Sequence, residues 1–252
     1  MQLKEVIARL DSWLTPQLFR DYCPNGLQVE GRATVRRVMT AVTASRRAIE
    51  AAVAAGADLL LVHHGLFWKG EGPCLVGWKR QRVALLLRHE VSLVAYHLPL
   101  DAHPEFGNNA VWAKAMGWQL LERFGEQNLG CLGSCQEATS PVPCVATIAE
   151  RLAERLGHQP LVIGAGDQPV HRLAWCSGAA ASYFHEAVTK GCDLFVTGEI
   201  AEPYVHLARE TGVALIAAGH HATERFGVQA LGEHLAKMCG FEVTFFDDPV
   251  PI

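Results

Sequence analysis

The chain has 252 residues, half of them hydrophobic, a formal net charge of −4, a pI of about 6.3 and a mean hydropathy of +0.12. That is enough apolar material for one large core or two smaller ones, and it excludes an intrinsically disordered chain. With no block of like charge it lacks the basic footprint of a general nucleic-acid-binding surface, and no apolar run approaches the roughly 18 residues that span a bilayer.

In chain order, "MQLKEVIARLDSWL" predicts an amphipathic helix; it lacks the apolar centre and small-residue cleavage site of a secretory signal, so a cytoplasmic protein is expected. "VRRVMTAVTA" predicts a strand, and "SRRAIEAAVAAG" an Ala-rich helix capped by Ser45 and stopped by Gly56. "ADLLLVHHG" predicts a buried strand, "RQRVALLLRHE" a helix and "VSLVAYHLPLD" another strand. This rhythm is that of an α/β fold with a largely parallel sheet covered by helices. "HPEFGNNAVWAKAMG" predicts a loop entering a helix, with Asn108 or Asn109 as its cap. The Gly-, Ser-, Pro- and Cys-rich sequence from Gly125 to Pro143 predicts a crossover into a second unit. There "CVATIAERLAERLG" predicts a helix and "PLVIGAGDQPVHRLAWCSG" a strand, a turn and a strand. The expected division is 1–125 and 126–252. The eight cysteines are scattered without a CxxC and predict reduced, mostly buried thiols. Cys131 and Cys135 have the spacing of a zinc half-site, with no second half nearby.

Sliding the chain on itself by 135 positions lays "VRRVMTAVTASRRAIEAAVAAGADLLLVHHG" on "VHRLAWCSGAAASYFHEAVTKGCDLFVTGEI" without a gap. Val35, Arg37, Gly56, Asp58 and Leu59 meet Val170, Arg172, Gly191, Asp193 and Leu194. Shared alanines are what any two βα units show; the run from Gly56 to Leu59 argues for duplication. With a shorter offset "VSLVAYHLPLD" falls near "VALIAAGHHATE", so that His97 meets His220 and Asp101 meets Glu224, although the best strand alignment is one residue out of step.

The polar residues at these strand ends are His63, His64 and Asp101 in one half, and Glu199, His220 and Glu224 in the other. Open α/β sheets bind ligands beyond the carboxyl ends of their strands. Imidazoles with carboxylates suit Zn, Mn, Fe or Co, and two metals sharing a carboxylate use about five or six such groups. His220 and Glu224 are four apart, on one face if a helix starts at His220 or just after it. Taken singly, each residue has an ordinary structural explanation: a hydrogen-bonded strand-end histidine, a loop aspartate, a helix-start glutamate. Their convergence is what points to a site. Asn25-Gly26 in "YCPNGLQVEG" predicts only a turn, and Phe67, Trp68 and Lys69 are expected to pack under a loop.

"LLLVHHGLFWKG", "YHLPLDAHPEFGNNA", "DLFVTGEI" and "AAGHHATERFGVQAL", with "NGLQVEG" upstream, closely resemble the Nif-three-like family, whose bacterial members are labelled type 2 GTP cyclohydrolase I homologues. The resemblance runs in order along nearly the whole chain, in the short form without an inserted domain. It implies two interlinked α/β units, the C-terminal segment packing back on the first to complete the site, and a ring-shaped homohexamer. It also implies two divalent ions per subunit, ligated by His63, His64, Asp101, His220 and a bridging Glu224. His97 and Glu199 then stand behind the ligands as candidate proton-transfer groups. The resemblance departs from the pattern in the first strand, where many relatives have an aspartate and this chain has "AVTAS", with Thr43 and Ser45, so a role resting on that aspartate is not carried over.

The leading expectation is a metal-dependent hydrolase of a small heterocyclic or nucleotide-like substrate. Nothing in the sequence selects guanine, since there is no P-loop and no base-reading motif. The alternative is a non-catalytic metal-binding, interaction or regulatory protein, whose metal would have no position open to water. Nucleic-acid binding through a ring would need salt-dependent DNA retention to support it.

Overall fold

The computed structural model describes residues 1–135 and 142–250. The chain divides into two compact units, one made of Met1–Gly107 with Arg225–Asp248 and the other built on Asn108–Glu224. The boundary drawn from sequence, after Gly125, lies within the second of these.

The first unit opens with α1 (Leu3–Leu14), whose Leu3, Val6, Leu10 and Leu14 recur at helical spacing and are all buried. The Gln2 N–H donates to Glu5 at its start, and Thr15, in a left-handed conformation (φ 44°), ends it. Then come β1 (Gly26–Val29), β2 (Arg37–Thr43), α2 (Arg46–Ala54), β3 (Leu59–His64), α3 (Gly77–Arg88), β4 (Ser92–Ala95) and the short α4 (Leu98–Ala102). Ser45 caps α2 as expected, its Oγ accepting from Ala48 N–H at 3.0 Å.

The second unit runs α5 (Asn108–Met116), β5 (Trp118–Phe124), β6 (Gly130–Cys135), α6 (Val145–Leu156), β7 (Leu161–Ile163), β8 (Leu173–Cys176), α7 (Phe184–Thr189), β9 (Leu194–Thr197), α8 (Glu202–Thr211) and β10 (Ala214–Ala217). α9 (His220–Cys239) begins in this unit and continues, from Arg225 onward, in the first, which β11 (Glu242–Phe245) completes.

Each unit is an α/β layer structure, and both sheets are mixed rather than largely parallel. The first has the order β1-β4-β3-β2-β11, with β1 antiparallel to β4 and the rest parallel. The second has the order β5-β6-β8-β9-β10-β7, parallel only from β8 to β10. The expected crossover from Gly125 to Pro143 is in part strand β6; residues 136–141 lie outside the described residues. The sequence "GCLGSC" hides its strand because Gly133 lacks a side chain for a steric reason. A Cβ there would collide with the Gln119 carbonyl of β5 and lie 3.1 Å from the Trp175 ring.

The first sheet is buried on both faces, which is why β3 reads as an unbroken apolar run rather than an alternating one. Val38, Val42, Leu59 and Leu61 face α1 and the Val228, Leu231 and Leu235 stripe of α9. Met39, Ala41, Leu60 and Val62 belong to a second cluster with Ile49 and Ala52 of α2 and Val83 and Leu86 of α3. Each fully buried Val or Leu contributes on the order of 1.5–3 kcal/mol. α9 lies close to its sheet: a Cβ on Gly232 would come within 2.9 Å of Thr40 Cγ2.

The duplication read from the sequence has a structural counterpart. Asp58 Oδ2 accepts from the N–H groups of Arg36 and Arg37 at 2.8 and 3.0 Å; Asp193 Oδ2 accepts from those of His171 and Arg172, both at 2.9 Å. Just before them, Gly56 (φ 64°) and Gly191 (φ 70°) turn the chain out of a helix in a backbone conformation that favours glycine. In each unit the aspartate therefore fixes the start of the strand next to its own. Hydrogen bonds to a charged acceptor are worth about 1.5–3 kcal/mol, so Asp58→Asn and Asp193→Asn are each expected to lose about that much in urea-induced unfolding. Equal stability of either variant and the native chain would show that the shared motif carries no energy.

Candidate metal centre

In the first unit the candidate residues gather where β3 and β4 end. His63 and His64 close β3, His63 fully buried and His64 half-buried, with ring centroids 4.6 Å apart. His63 Nδ1 lies 3.0 Å from the Tyr96 carbonyl, which can only accept, so Nδ1 carries the proton. In a neutral ring Nε2 presents a lone pair, and it lies 3.6 Å from Asp101 Oδ2. Two acceptors facing each other repel; a cation held between them converts that repulsion into coordination. Asp101 is brought there by α4, whose Leu100 and Asp101 N–H groups both donate to the His97 carbonyl. His64 Nδ1 meets Thr43 Oγ1 at 3.1 Å across the paired ends of β2 and β3. The hydroxyl thus helps to hold the imidazole in place.

His97 stands behind this pair, its ring centroid 5.0 Å from that of His63 and 5.6 Å from that of His64. Trp68 is in ring contact with His64 and His97, so it lies beside the histidines rather than only beneath a loop. His63, His64 and His97 each offer a ligand atom within 4.8 Å of the others, so this group could hold a metal ion. Imidazole and carboxylate donors suit Zn, Fe, Mn or Co, and the residues present fit such an ion.

Two groups that the sequence reading passed over support His97. Asp21, buried in the loop after α1, accepts from His97 Nδ1 at 2.7 Å, and Asn25 Oδ1 accepts from the His97 N–H at 2.8 Å. Burial alone would raise the Asp21 carboxyl, but hydrogen bonding and charge from His97, with Asn25 and the Leu98 N–H, outweigh it and hold it at about 2. Gly26, at φ 97°, opens β1 rather than a turn, and the Asn25 side chain before it is tied to His97.

In the second unit, the ends of β8, β9 and β10 meet the first turn of α9. Three glycines permit the approach. A Cβ on Gly198 would lie 2.7 Å from the Gly178 carbonyl oxygen and 2.8 Å from His220 Cα, and one on Gly219 would lie 3.0 Å from His158 Nε2. At Gly178 (φ 66°) a Cβ would collide with Glu224 Oε1 and approach His220 Nε2 to 3.4 Å. Thr223 fastens the turn, its Oγ1 donating to the His220 carbonyl and accepting from Gly178 N–H, both at 3.0 Å.

The helix does start at His220, so His220 and Glu224 share one face as their spacing predicts. His220 Nε2 is 2.9 Å from the buried Glu224 Oε2, and His220 Nδ1 is in hydrogen-bond contact with Glu199 Oε1. Burial would lower the His220 imidazole, but hydrogen bonds and charge from Glu224 and then Glu199 outweigh it and raise it to about 9. Glu199 therefore acts on His220 from behind, and Glu224 is the carboxylate of this unit that is buried. In the repeat alignment Thr43 falls on Gly178. The two halves have diverged there: one strand end carries a hydroxyl that holds an imidazole, the other a glycine that makes room for a carboxylate.

All eight cysteines are free thiols, four of them buried. Burial pushes Cys23 and Cys192 up to about 12 and Cys131 up to about 11, so these are inert structural thiols. Cys131 and Cys135 lie along β6 and belong to no candidate metal group among the described residues. No helix among the described residues is long and apolar enough to cross a membrane.

Known proteins resemble the chain from end to end. A protein of Neisseria meningitidis serogroup A named GTP cyclohydrolase 1 type 2 homolog is 52% identical over 248 residues, 98% of each chain. Its counterpart of the same name in Pseudomonas aeruginosa is 49% identical over 252 residues, 99% of this chain and 98% of its own. Among solved structures, ybgI, a protein of unknown function, superposes with a TM-score of 0.95 at 44% identity and 100% coverage of both chains. The profile of the Duf34/NIF3 (NGG1p interacting factor 3) proteins matches residues 1–251. The chain belongs to the DUF34/NIF3 family.

Proposed function

We propose that the protein holds two divalent metal ions, through His63, His64, Asp101, His220 and Glu224, and hydrolyses a C–N bond in a small heterocyclic or nucleotide-like substrate. The observation that carries the metal reading is the buried His63 Nε2 facing Asp101 Oδ2 at 3.6 Å. The pairing of His220 with Glu224 at the start of α9 supplies a second imidazole–carboxylate set of the same chemistry. When bound, such ions supply Lewis acidity and acidify water toward neutral pH.

The chain's own residues have separable tasks in this reading. Tyr96, through its carbonyl, and Thr43 fix the ring orientations of His63 and His64. Outer partners of this kind raise ligand basicity and are worth about 10–100-fold in affinity. His97, held by Asp21, takes or returns a proton at its second ring nitrogen. Glu199 steadies His220, and Trp68 offers an aromatic face beside the histidines for a planar ring. A ring-shaped hexamer, which the family resemblance implies, belongs to the same proposal.

The relatives' name points to opening of a purine imidazole ring. The test is incubation of the protein, loaded in turn with Zn²⁺, Mn²⁺, Fe²⁺ or Co²⁺, with GTP while formate release is measured. Release that requires the metal and disappears in Asp101→Asn is the expected result. Two-metal binding without release from GTP or other purine nucleotides would overturn the purine reading, and bound metals with no exchangeable water would overturn the hydrolase reading and assign the centre a structural or regulatory role.

A further inference from the structure

We propose that Asp21 is a positioning residue that fixes the tautomer of His97, leaving the Nε2 lone pair as the basic site of that ring. For its purpose the proposal rests on the metal-centre reading above; the tautomer itself follows from hydrogen bonds within the first unit.

Asp21 Oδ1 accepts from the Tyr22 N–H at 2.6 Å and lies 2.7 Å from His97 Nδ1. Oδ2 accepts from the Leu98 N–H and from Asn25 Nδ2, both at 2.9 Å. The Asn25 amide cannot be turned round, because its Oδ1 accepts from the His97 backbone N–H at 2.8 Å. Both carboxylate oxygens are thus engaged by fixed donors, and Asp21 has only acceptor capacity to offer. Nδ1 of His97 must carry its proton toward Asp21, as when a buried aspartate sets the tautomer of a catalytic histidine. Nε2 remains as the lone-pair nitrogen of a ring lying 5.0–5.6 Å from His63 and His64 and 5.1 Å from Trp68. Asp21 also ties the two backbone segments together, since residues 21–25 clasp the start of α4 through Leu98 and His97. The loop that reads as a plain turn is therefore the bracket of the candidate base.

An asparagine at position 21 has one acceptor oxygen where the aspartate has two. The Oδ2 position faces two donors that cannot adapt, Leu98 N–H and Asn25 Nδ2, so the amide oxygen settles there. The NH2 then faces the Tyr22 N–H and His97, and the imidazole is the group that can adapt, by presenting Nδ1 as acceptor. Asp21→Asn is expected to move the His97 proton from Nδ1 to Nε2.

The experiment is two-bond ¹H–¹⁵N correlation of ¹⁵N-histidine-labelled, metal-free protein at pH 8, with the His97 signals identified by their loss in His97→Gln. The expected native pattern is a protonated Nδ1 and an unprotonated Nε2, and Asp21→Asn exchanges the two. A native ring protonated at Nε2, whether inverted or doubly protonated, overturns the proposal, as does an unchanged pattern in a folded Asp21→Asn. If that variant does not fold, the native spectrum decides alone. Failure of the metal-centre reading would appear instead as metal binding that survives Asp101→Asn, with the native His97 pattern intact.

Discussion

His63→Ala is expected to lower affinity for Zn²⁺ at least about 100-fold, measured by competition with a chromophoric chelator. Loss of an outer-shell hydrogen bond to a metal ligand costs about 10–100-fold, and this substitution removes a ligand outright. His63 is fully buried, so the alanine also leaves a void, and a large-to-small change at such a site costs a few kcal/mol of stability. Asp101→Asn separates the two effects. It keeps the volume and one acceptor oxygen of a side chain that is itself buried, and removes only the charge facing His63 Nε2. A folded Asp101→Asn with native Zn²⁺ affinity would show that the imidazole–carboxylate pair is structural.

Gly178→Ala is expected to displace the Glu224 carboxylate and strain the backbone beside it. The backbone there has φ 66°, a conformation that costs an L-residue roughly 1–2 kcal/mol. The added Cβ would meet Glu224 Oε1 and lie 3.4 Å from His220 Nε2. The backbone around it is held on both sides, by Thr223 Oγ1 at its N–H and by the Gly198 and Glu199 N–H groups at its carbonyl. The carboxylate therefore has to give way. Loss of at least one equivalent of bound metal is expected by elemental analysis, with destabilisation of about 2 kcal/mol in thermal or urea unfolding. Undiminished metal content in this variant would remove Glu224 from the ligand set.

Much of this architecture is legible in the sequence, and the parts that are not share a cause. The βα units and the Ser45 cap follow from local pattern, because apolar period, cap chemistry and glycine stops are nearest-neighbour properties. The pairing of Asp58 with Asp193 was visible as a repeat, and in the structure each aspartate performs the same backbone-binding task. The direction of strand pairing was not visible. β6 is rich in glycine and cysteine, so its segment reads as a linker, whereas antiparallel pairing with β5 on one side and β8 on the other makes it part of a sheet.

The candidate site shows the same limit. His63, His64, Asp101, Glu199, His220 and Glu224 stand out as polar residues at the ends of apolar strands, and His97 enters through the repeat and the family resemblance. Asp21 and Asn25 did not, since their hydrogen bonds reach more than seventy positions along the chain to His97 and Leu98. Thr43 looked only like a departure from the family pattern until its hydroxyl was found on His64 Nδ1. Gly178 carries no chemical signal of its own, because a residue that makes room is recognised only from what fills the room. The repeat alignment, which sets it against Thr43, is the one trace it leaves.

The central claim is that these buried imidazoles and carboxylates exist to hold cations. Its most direct test is the number of metal equivalents bound per chain, by elemental analysis of protein stripped with chelator, re-equilibrated with excess Zn²⁺, Mn²⁺, Fe²⁺ or Co²⁺ and freed of loose ions. The account predicts about two equivalents of at least one of these metals, falling below one in Glu224→Ala. A native chain that binds none of the four, or a Glu224→Ala chain that still holds two, would contradict it.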